Sequence, residues 1–485
     1  MTCQIPSDCL DEIFEYLYLE DKFTLHSCLL VNCLWCESSV RILWKDVYKF
    51  TVPMPHKSKI LNTLIACLPD ESKDLLHKNE IFVSTQTWKP PLFNYASFCK
   101  VLSICEMDQM VQHVLENQSP NTSKSLNYKK YSISQEIFKM FMKEISFLKE
   151  LLYTTIYSLD TFSGVIPNIT FACFPGAMDC LTDLSALSCD SNVHSEFFYQ
   201  LSQYCHNIQS LYIRFEHGIS NGLEDLITSQ KHLKHLTLIM DDSLLDVSDI
   251  IPSLTNHSNT IIKLRIKGEF GPFSFIDTFK KLQELFVLAG YSWKEFDYFK
   301  ELQHVTFSNL QILKFPVGRP KLEHLTKFLE INGKNLKEIE IVGGSSNLVI
   351  SRFCPNLKIL SIEIPKDLRT LEEIFINCQQ LERIKISFLD VFNEKELLQV
   401  IAKCSPKKFY ELKMNYMNNS ERSELLPKEL ESFFSSWMDR VSQKALCLII
   451  LGYCFKIEKE NMEVIEKYVK SGVIKQFKIS EIERY

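Results

Sequence analysis

The sequence predicts an α/β chain: a small helical unit at the N-terminus, a helical connecting region, and a long solenoid of strand-plus-helix repeats whose strands form one curved parallel sheet. Three observations carry this expectation. The first 48 residues hold three apolar runs, the first with helical spacing. A short apolar pattern recurs at a steady interval from residue 147 onward. At 485 residues the chain is too long for one ordinary core, yet its 46% hydrophobic and 24% charged content is that of a folded protein. The expected divisions are 1–50, 51–146 and 147–485.

The N-terminal unit begins with Pro6 and Ser7 ahead of acidic Asp8, Asp11 and Glu12, a composition that suits a helix start. Leu10, Ile13, Phe14 and Leu17 then fall on one helical face. A second apolar run holds Leu25, Cys28, Leu29, Val31 and Trp35, and a third holds Val40, Leu43, Trp44 and Val47. A bundle this small cannot hide so many large apolar side chains, so part of its surface should await a partner.

These residues resemble an F-box. The family's opening, roughly Leu-Pro-x-Asp-x-Leu-x-Glu-Ile-Phe-x-Tyr-Leu, stands here as Ile5-Pro6-Ser7-Asp8-Cys9-Leu10-Asp11-Glu12-Ile13-Phe14-Glu15-Tyr16-Leu17. Its later Val-x-x-x-Trp and Leu-Trp elements stand as Val31 to Trp35 and as Leu43-Trp44, and the wording around Ser27 to Cys36 is similar to the fungal version. Ile5 in place of Leu, and Cys33 where a basic residue is common, are the departures. The resemblance implies a three-helix unit that packs against a Skp-type adaptor and through it joins a cullin–RING ubiquitin ligase. The adaptor-binding residues carried over are Pro6, Leu10, Ile13, Phe14, Leu17, Val31, Trp35, Leu43 and Trp44. Some would be anchors and some the core that positions them.

Prolines 53, 55, 69, 90 and 91 punctuate the connecting region. Helical spacing is read over 93–116 (Phe98, Val101, Leu102, Cys105, Met110, Val111, Val114, Leu115) and over 133–145 (Ile137, Phe138, Phe141, Ile145). The polar stretch 119–127 between them reads as a loop.

The repeating pattern is apolar-x-x-apolar-x-apolar. It occurs as Leu148-Leu151-Tyr153, Leu181-Leu184-Ala186, Ile208-Leu211-Ile213, Leu233-Leu236-Leu238, Ile261-Leu264-Ile266 and Leu282-Leu285-Val287. It continues as Leu310-Leu313-Phe315, Leu336-Ile339-Ile341, Leu357-Leu360-Ile362, Leu381-Ile384-Ile386 and Phe409-Leu412-Met414. The middle residues lie about 26 apart on average, the period of a leucine-rich repeat. Alternation around each middle residue fits a strand with one buried face, and helical segments such as 195–204, 370–377 and 394–403 precede several strands. Cys205, Cys354 and Cys378 end such helices, which resembles the cysteine-containing subtype found with F-boxes. The Asn or Cys that usually follows the strand is absent from most units; Glu216 and Glu269 hold that offset. A strand near 446–451, a helix over 461–469 stopped by Gly472, and a strand over 474–479 should cap the array.

The remaining features exclude more than they add. No phosphate loop, dinucleotide fingerprint, HExxH or nucleophile-elbow motif is present, so neither an enzyme nor a cofactor is expected. Gly343-Gly344-Ser345-Ser346 reads as a turn and Asp241-Asp242 as a solvated loop. His232 and His235 read as ordinary histidines. Cys33-x-x-Cys36 lacks the second pair that a zinc site needs. A net charge of −6 argues against nucleic acid. The longest apolar run, 445–455, is too short to span a membrane. Seventeen cysteines without a leader, behind an acidic first 20 residues, suggest reduced thiols inside the cell, in cytoplasm or nucleus.

In the array, residues at −1, +1 and +3 from each middle residue should face outward. That places Tyr212 and Arg214, then a basic row of Lys263, Arg265 and Lys267 beside Phe286, on the surface expected to bind a target protein, with Glu338 and Glu340 as an acidic row further on. An acidic or phosphorylated target segment would suit the basic row. The functional expectation is the substrate-recognition subunit of an SCF-type ubiquitin ligase; the alternative is a scaffold that pairs with the adaptor without promoting degradation.

Overall fold

The computed structural model describes residues 5–48, 54–79, 81, 91–116, 125–154, 171–241, 245–270, 273–289, 295–341, 346–364, 367–388, 393–416, 426–440, 444–452 and 459–480. The chain divides into two compact units, residues 1–235 with 244–254, and residues 236–243 with 255–485.

The first unit opens with α1 (Ser7–Glu20), α2 (Lys22–Cys28) and α3 (Cys33–Trp44). Pro6, at φ −56° and ψ 148°, sits at the start of α1, and its carbonyl accepts the Leu10 N–H at 3.1 Å. Asp21 serves two helices. Its N–H closes α1 on the Leu17 carbonyl at 2.8 Å, and its carboxylate accepts the Thr24 N–H at 3.1 Å to start α2. The Asn32 side chain accepts the Trp35 N–H at 2.9 Å and starts α3. Leu10, Phe14, Tyr18, Leu25, Cys28, Ile42 and Leu43 form the shared core. The buried stripe of α1 is thus Leu10–Phe14–Tyr18, rotated from the expected Leu10–Ile13–Phe14–Leu17 face, because Tyr18 turns inward and Ile13 outward.

The connecting region holds α4 (Met54–Cys67), α5 (Asp70–Lys78) and α6 (Tyr95–Phe98). The segment 93–116, expected as one helix, divides into α6, a strand β1 (Val101–Ser103) and α7 (Ile104–Glu116). Val101 and Leu102 fit a helical face and a strand equally well, and pairing with the next strand decides for the strand. The helix expected at 133–145 is longer: α8 (Leu126–Glu144) starts seven residues earlier, where Ser125 accepts the Tyr128 N–H at 3.4 Å. Residues 125–127 therefore leave the expected polar loop, and 119–124 lie outside the described residues.

Beyond α8 the first unit carries β2 (Glu150–Tyr153), α9 (Ala177–Leu181), β3 (Ala186–Asp190), α10 (Ser195–Tyr204), β4 (Ser210–Phe215) and α11 (Gly222–Thr228). The strands β1 to β4 are parallel and pair in sequence order, with Leu102, Leu151, Leu187 and Leu211 in one buried row. The expected Leu181-Leu184-Ala186 unit is therefore corrected to Leu184-Leu187-Cys189. Both triplets satisfy the pattern, but Leu181 ends α9 and the chain must turn before it can extend.

In sequence, β5 (His235–Met240) and the short α12 (Ile251–Thr255) span the division between units, His235 and residues 251–254 counting with the first and residues 236–240 and Thr255 with the second. There follow β6 (Lys263–Lys267), β7 (Glu284–Leu288), the small pair β8 (Glu295–Phe296) and β10 (Arg319–Pro320), and β9 (Ile312–Phe315). Helices α13 (Leu322–Asn332), α14 (Asn347–Phe353), α15 (Arg369–Asn377), α16 (Glu394–Cys404), α17 (Pro427–Met438) and α18 (Lys459–Lys470) then alternate with β11 (Glu338–Ile341), β12 (Ile359–Glu363), β13 (Arg383–Phe388), β14 (Glu411–Tyr416), β15 (Leu446–Leu451) and β16 (Ile474–Ser480). From β6 to β16, leaving out β8 and β10, neighbours pair parallel in chain order. Leu264, Leu285, Leu313, Ile339, Leu360, Ile384 and Leu412 align in a buried row as the pattern requires, and Leu448 extends it. This is the strand-plus-helix α/β repeat architecture that the periodicity predicts.

The repeats are knitted by backbone. From Leu264 to Ile384 the carbonyl two residues before the aligned apolar position takes two N–H groups from the next turn of chain. Gln283 accepts from Gln311 and Ile312, Lys337 from Lys358 and Ile359, and Glu382 from Tyr410 and Glu411, at 2.8 to 3.2 Å. Cys205, Cys354 and Cys378 all follow a helix and are fully buried; Cys378 Sγ donates to the Cys354 carbonyl at 3.3 Å, tying adjacent repeats. At the chain's far end Gly472, at φ +76°, lets the Val473 N–H reach back to the Tyr468 carbonyl at 3.1 Å, which ends α18 as expected.

Candidate protein-docking surfaces

Large apolar side chains stand in solvent on α1, α2, α3 and the turn between the last two. Phe23 is 88% exposed and Leu30 90%, with Val31 at 55% and Ile13 at 46%; Tyr16, Leu19, Leu34 and Ile5 are also exposed. The cause is local. The core takes only one stripe from each short helix, so the remaining apolar residues have nowhere to go. An exposed group this rich in aliphatic and aromatic side chains suits protein–protein contact.

The nine residues carried over from the resemblance fall into three sets. Pro6, Ile13 and Val31 are exposed. Leu17, Trp35 and Trp44 are half-buried against the core, with Trp35 edge-on to Phe14 at 5.3 Å and 70°. Leu10, Phe14 and Leu43 lie inside and position the others. Trp44 faces Tyr95 of α6, ring centroids 4.5 Å apart. Phe23 and Leu30 were missed by the sequence reading. Phe23 lies in the first turn of α2 and outside the apolar runs that were read, and Leu30 lies in a turn. A fully apolar Leu29-Leu30-Val31 run at a turn was the available signal.

On the strand faces of the repeats, pairing register brings the expected rows together and also changes their electrostatics. Lys263 sits beside Glu284, and Arg265 beside Phe286. Glu284 is buried and accepts both cations, from Arg265 at 2.9 Å and from Lys263 at 3.4 Å. Burial works against the charge on Glu284, but Arg265 and then Lys263 outweigh it and hold its carboxyl below the usual glutamate range. The Arg265 guanidinium also lies 5.4 Å from the centre of the half-buried Phe286 ring. The basic row is thus partly neutralised from within, with Lys267 half-buried at its end. Glu340 likewise pairs with Lys385 at 3.1 Å and Glu338 with Lys314 at 2.5 Å.

Arg214, expected on the outer face, is corrected. It is buried, and its guanidinium makes a two-pronged pair with buried Asp190, Nε to Oδ1 at 2.9 Å and Nη2 to Oδ2 at 3.1 Å. Burying an arginine is costly unless a carboxylate meets it, and the neighbouring strand supplies one. Tyr212 is half-buried.

A cleft of about 970 Å³ opens beside α1 and α3 at the start of β1 and β2. Its lining includes Glu15, Tyr18, Lys45, Lys100, Phe147 and Lys149, and carries neither histidine nor cysteine. Lys45 pairs with Glu15 and lies 4.3 Å from the Tyr18 ring centre. Burial, and then Lys149, holds the Lys100 ammonium below its usual value. Among the described residues, no group of three or more His, Cys, Asp and Glu could hold a metal ion, and no helix is long and apolar enough to cross a membrane. Gly343 to Ser345 and Asp242 lie outside the described residues.

No protein-family model matches the chain, and no curated protein matches it. Among solved structures it is similar to the leucine-rich repeat-containing protein LegL7 of Legionella pneumophila, at 12% identity over 70% of this chain and 98% of that one, with a TM-score of 0.35. It is also similar to a chain from the yeast Rad7 and Elc1 complex, at 12% identity over 93% of this chain and 87% of that one, with a TM-score of 0.34. A Bacteroides fragilis protein matches at 11% identity over 57% and 67%, with a TM-score of 0.28. At these TM-scores the likenesses carry no argument about activity or partners.

Proposed function

We propose that the chain is a substrate-recognition subunit of an SCF-type (Skp–cullin–F-box) ubiquitin ligase. In this reading α1 to α3 form the F-box and dock a Skp-type adaptor, which joins the cullin–RING ligase. The repeats hold a target protein. The chain performs no bond chemistry of its own; it raises the local concentration of target lysines near a ubiquitin-conjugating enzyme brought by the other subunits. It works inside the cell, in cytoplasm or nucleus.

The observation that carries the reading is the exposure of Phe23, Leu30, Val31 and Ile13 to solvent. They lie within the stretch that resembles the F-box, on a bundle whose own core is already filled by Leu10, Phe14 and Leu43.

The test is capture of a purified Skp-type adaptor by the full chain, wild type against Phe23→Asp and Leu30→Asp. These positions leave the core untouched, whereas Leu10→Asp would place a charge inside it. Wild-type capture that both substitutions abolish supports docking through this face. Absence of capture by the folded wild type overturns it. Ubiquitin transfer to a bound protein in the reconstituted complex then separates a ligase receptor from a non-degradative scaffold.

A further inference from the structure

The docking reading makes no use of the Cys33-x-x-Cys36 pair. The structure places both thiols on the first turn of α3, one turn apart, with Cys33 exposed and Cys36 half-buried. The turn is started by Asn32, whose side chain accepts from Trp35 at 2.9 Å and whose carbonyl accepts the Cys36 N–H at 2.8 Å. Exposed Leu30, Val31 and Leu34 surround it in sequence.

This setting differs from that of most thiols among the described residues. Cys99, Cys105, Cys180, Cys205 and Cys378 are buried, and burial pushes each up to about 12, so they are neither accessible nor nucleophilic near neutral pH. Cys9 is exposed, but α1 holds no second cysteine. Cys173 is exposed on a short turn and accepts from the Gln200 amide at 2.6 Å.

Residues three apart on an α-helix have Cβ atoms about 5–6 Å apart. A disulfide wants about 3.5–4.5 Å. The Cα atoms three apart on such a helix lie about 5 Å from each other, inside the about 4.4–6.8 Å that a disulfide bridges. Closing the Cβ gap therefore takes a local shift of the first turn at Cys33, the first residue of α3, where the N–H groups have no partner within the helix.

We propose that Cys33 and Cys36 form a reversible dithiol–disulfide site, oxidised by hydrogen peroxide, that reshapes the first turn of α3. The Cys33 thiolate attacks one peroxide oxygen. The O–O bond breaks, Cys33 becomes a sulfenic acid, and the departing hydroxide takes a proton to leave as water. The Cys36 thiolate then attacks the Cys33 sulfur. The S–S bond forms, the S–O bond breaks, and the second hydroxide also leaves as water. Two thiols and one peroxide give one disulfide and two waters, the sulfurs losing two electrons. Exchange with a small thiol restores the dithiol.

The displaced turn carries Leu34 and Trp35 between the two cysteines. Leu34 belongs to the exposed apolar group, and Trp35 packs on Phe14. Oxidation therefore alters the docking face; this consequence rests on the docking reading, while the disulfide does not.

The test treats the full chain with graded hydrogen peroxide, blocks the remaining thiols by alkylation, and maps the products by mass spectrometry. The expected product is a Cys33–Cys36 disulfide that forms before Cys9 or Cys173 is oxidised and is reversed by dithiothreitol. In Cys36→Ser, Cys33 should stop as a sulfenic acid that dimedone traps. Oxidation of Cys9 or Cys173 ahead of the pair, or Cys33 joined only to other chains, overturns the proposal. In a second arm, the oxidised chain should bind a Skp-type adaptor several-fold more weakly than the reduced chain, with the double variant Cys33→Ser, Cys36→Ser indifferent to peroxide. A disulfide that forms in a chain whose reduced form binds no adaptor would sink the docking reading and leave the redox site standing. A disulfide that leaves adaptor binding unchanged would overturn the coupling to the docking face.

Discussion

The backbone carbonyl of Lys45, which closes α3, accepts the N–H of Val101, the first residue of β1, at 3.1 Å; it also accepts the Lys100 N–H at 2.8 Å. The same double acceptance joins Lys100 to Lys149 and Glu150, and Ser185 to Gln209 and Ser210. For β1, the end of the three-helix bundle therefore stands where a preceding repeat would stand. The bundle is built onto the first strands of the array through backbone bonds, with Trp44 on Tyr95 as the side-chain contact beside them. Under the proposed receptor role, such a joint would fix the direction in which the first repeats leave a bound adaptor.

Trp44→Ala removes that contact. The ring is half-buried, so a loss of about 2 kcal/mol is expected, below the range for a fully buried tryptophan. Hydrogen exchange should quicken at the amides of Lys100 and Val101 while those of β12 and β13 stay as in the wild type. Unchanged protection at Val101 would show that the joint does not depend on Trp44.

Asn332 is fully buried at the end of α13. Its side-chain oxygen accepts the Phe307 N–H at 2.7 Å, and its amide donates to the carbonyls of Val305 at 2.8 Å and Phe328 at 3.1 Å. Gln230 makes the corresponding set with Ile208, Cys205 and Leu226. Each amide satisfies backbone groups of the repeat before it. Asn332→Ala strands a buried N–H and a carbonyl, so urea unfolding should show a loss of about 3 kcal/mol. A change within experimental scatter would mean that those groups find other partners.

The repeat period, the buried row and the helix spans 195–204, 370–377 and 394–403 were legible in the sequence because solvent enforces them: one face of each strand must be apolar. Leu187 was not, because Leu184 fits the same six-residue pattern and only pairing with Leu151 and Leu211 chooses between them. β1 was not, because three residues are too few to show a period and its pairing comes from distant chain. The apolar excess of the N-terminal unit was legible as a total but not its distribution. Tyr18 was not expected in the core, nor Phe23 and Leu30 in solvent. Outward charges were legible as charges, but their partners, Glu284 for Lys263 and Arg265 and Asp190 for Arg214, depend on register.

The buried Arg214–Asp190 pair gives an asymmetric prediction. Arg214→Met leaves a carboxylate that is 1% exposed without its bidentate partner, and thermal unfolding should report a loss of about 3–5 kcal/mol. Adding Asp190→Leu removes the stranded charge and should recover most of that loss. If the double variant were no more stable than Arg214→Met alone, the cost would lie in packing and not in the uncompensated charge.

Glu284 sets a pH dependence with a definite sign. Burial alone would raise its pKa, but Arg265 and Lys263 bring the carboxyl below the ordinary glutamate range. In the unfolded chain those partners are gone, so the unfolded state takes up the proton first as pH falls. The pair's stabilisation is therefore complete above the unfolded value and is lost as pH drops through the lower, folded one. Both cations are about half exposed, so the contribution is about 1 kcal/mol or less. Glu284→Gln should lower stability at about pH 7 and converge with the wild type once pH has fallen below the folded carboxyl's value, measured by urea unfolding across the acid range. Parallel curves at every pH would mean that the carboxylate charge does not contribute. The same variant frees Lys263 and Arg265, so a target with an acidic docking segment should bind it more tightly than it binds the wild type, and a target indifferent to the exchange would dock elsewhere on the repeats.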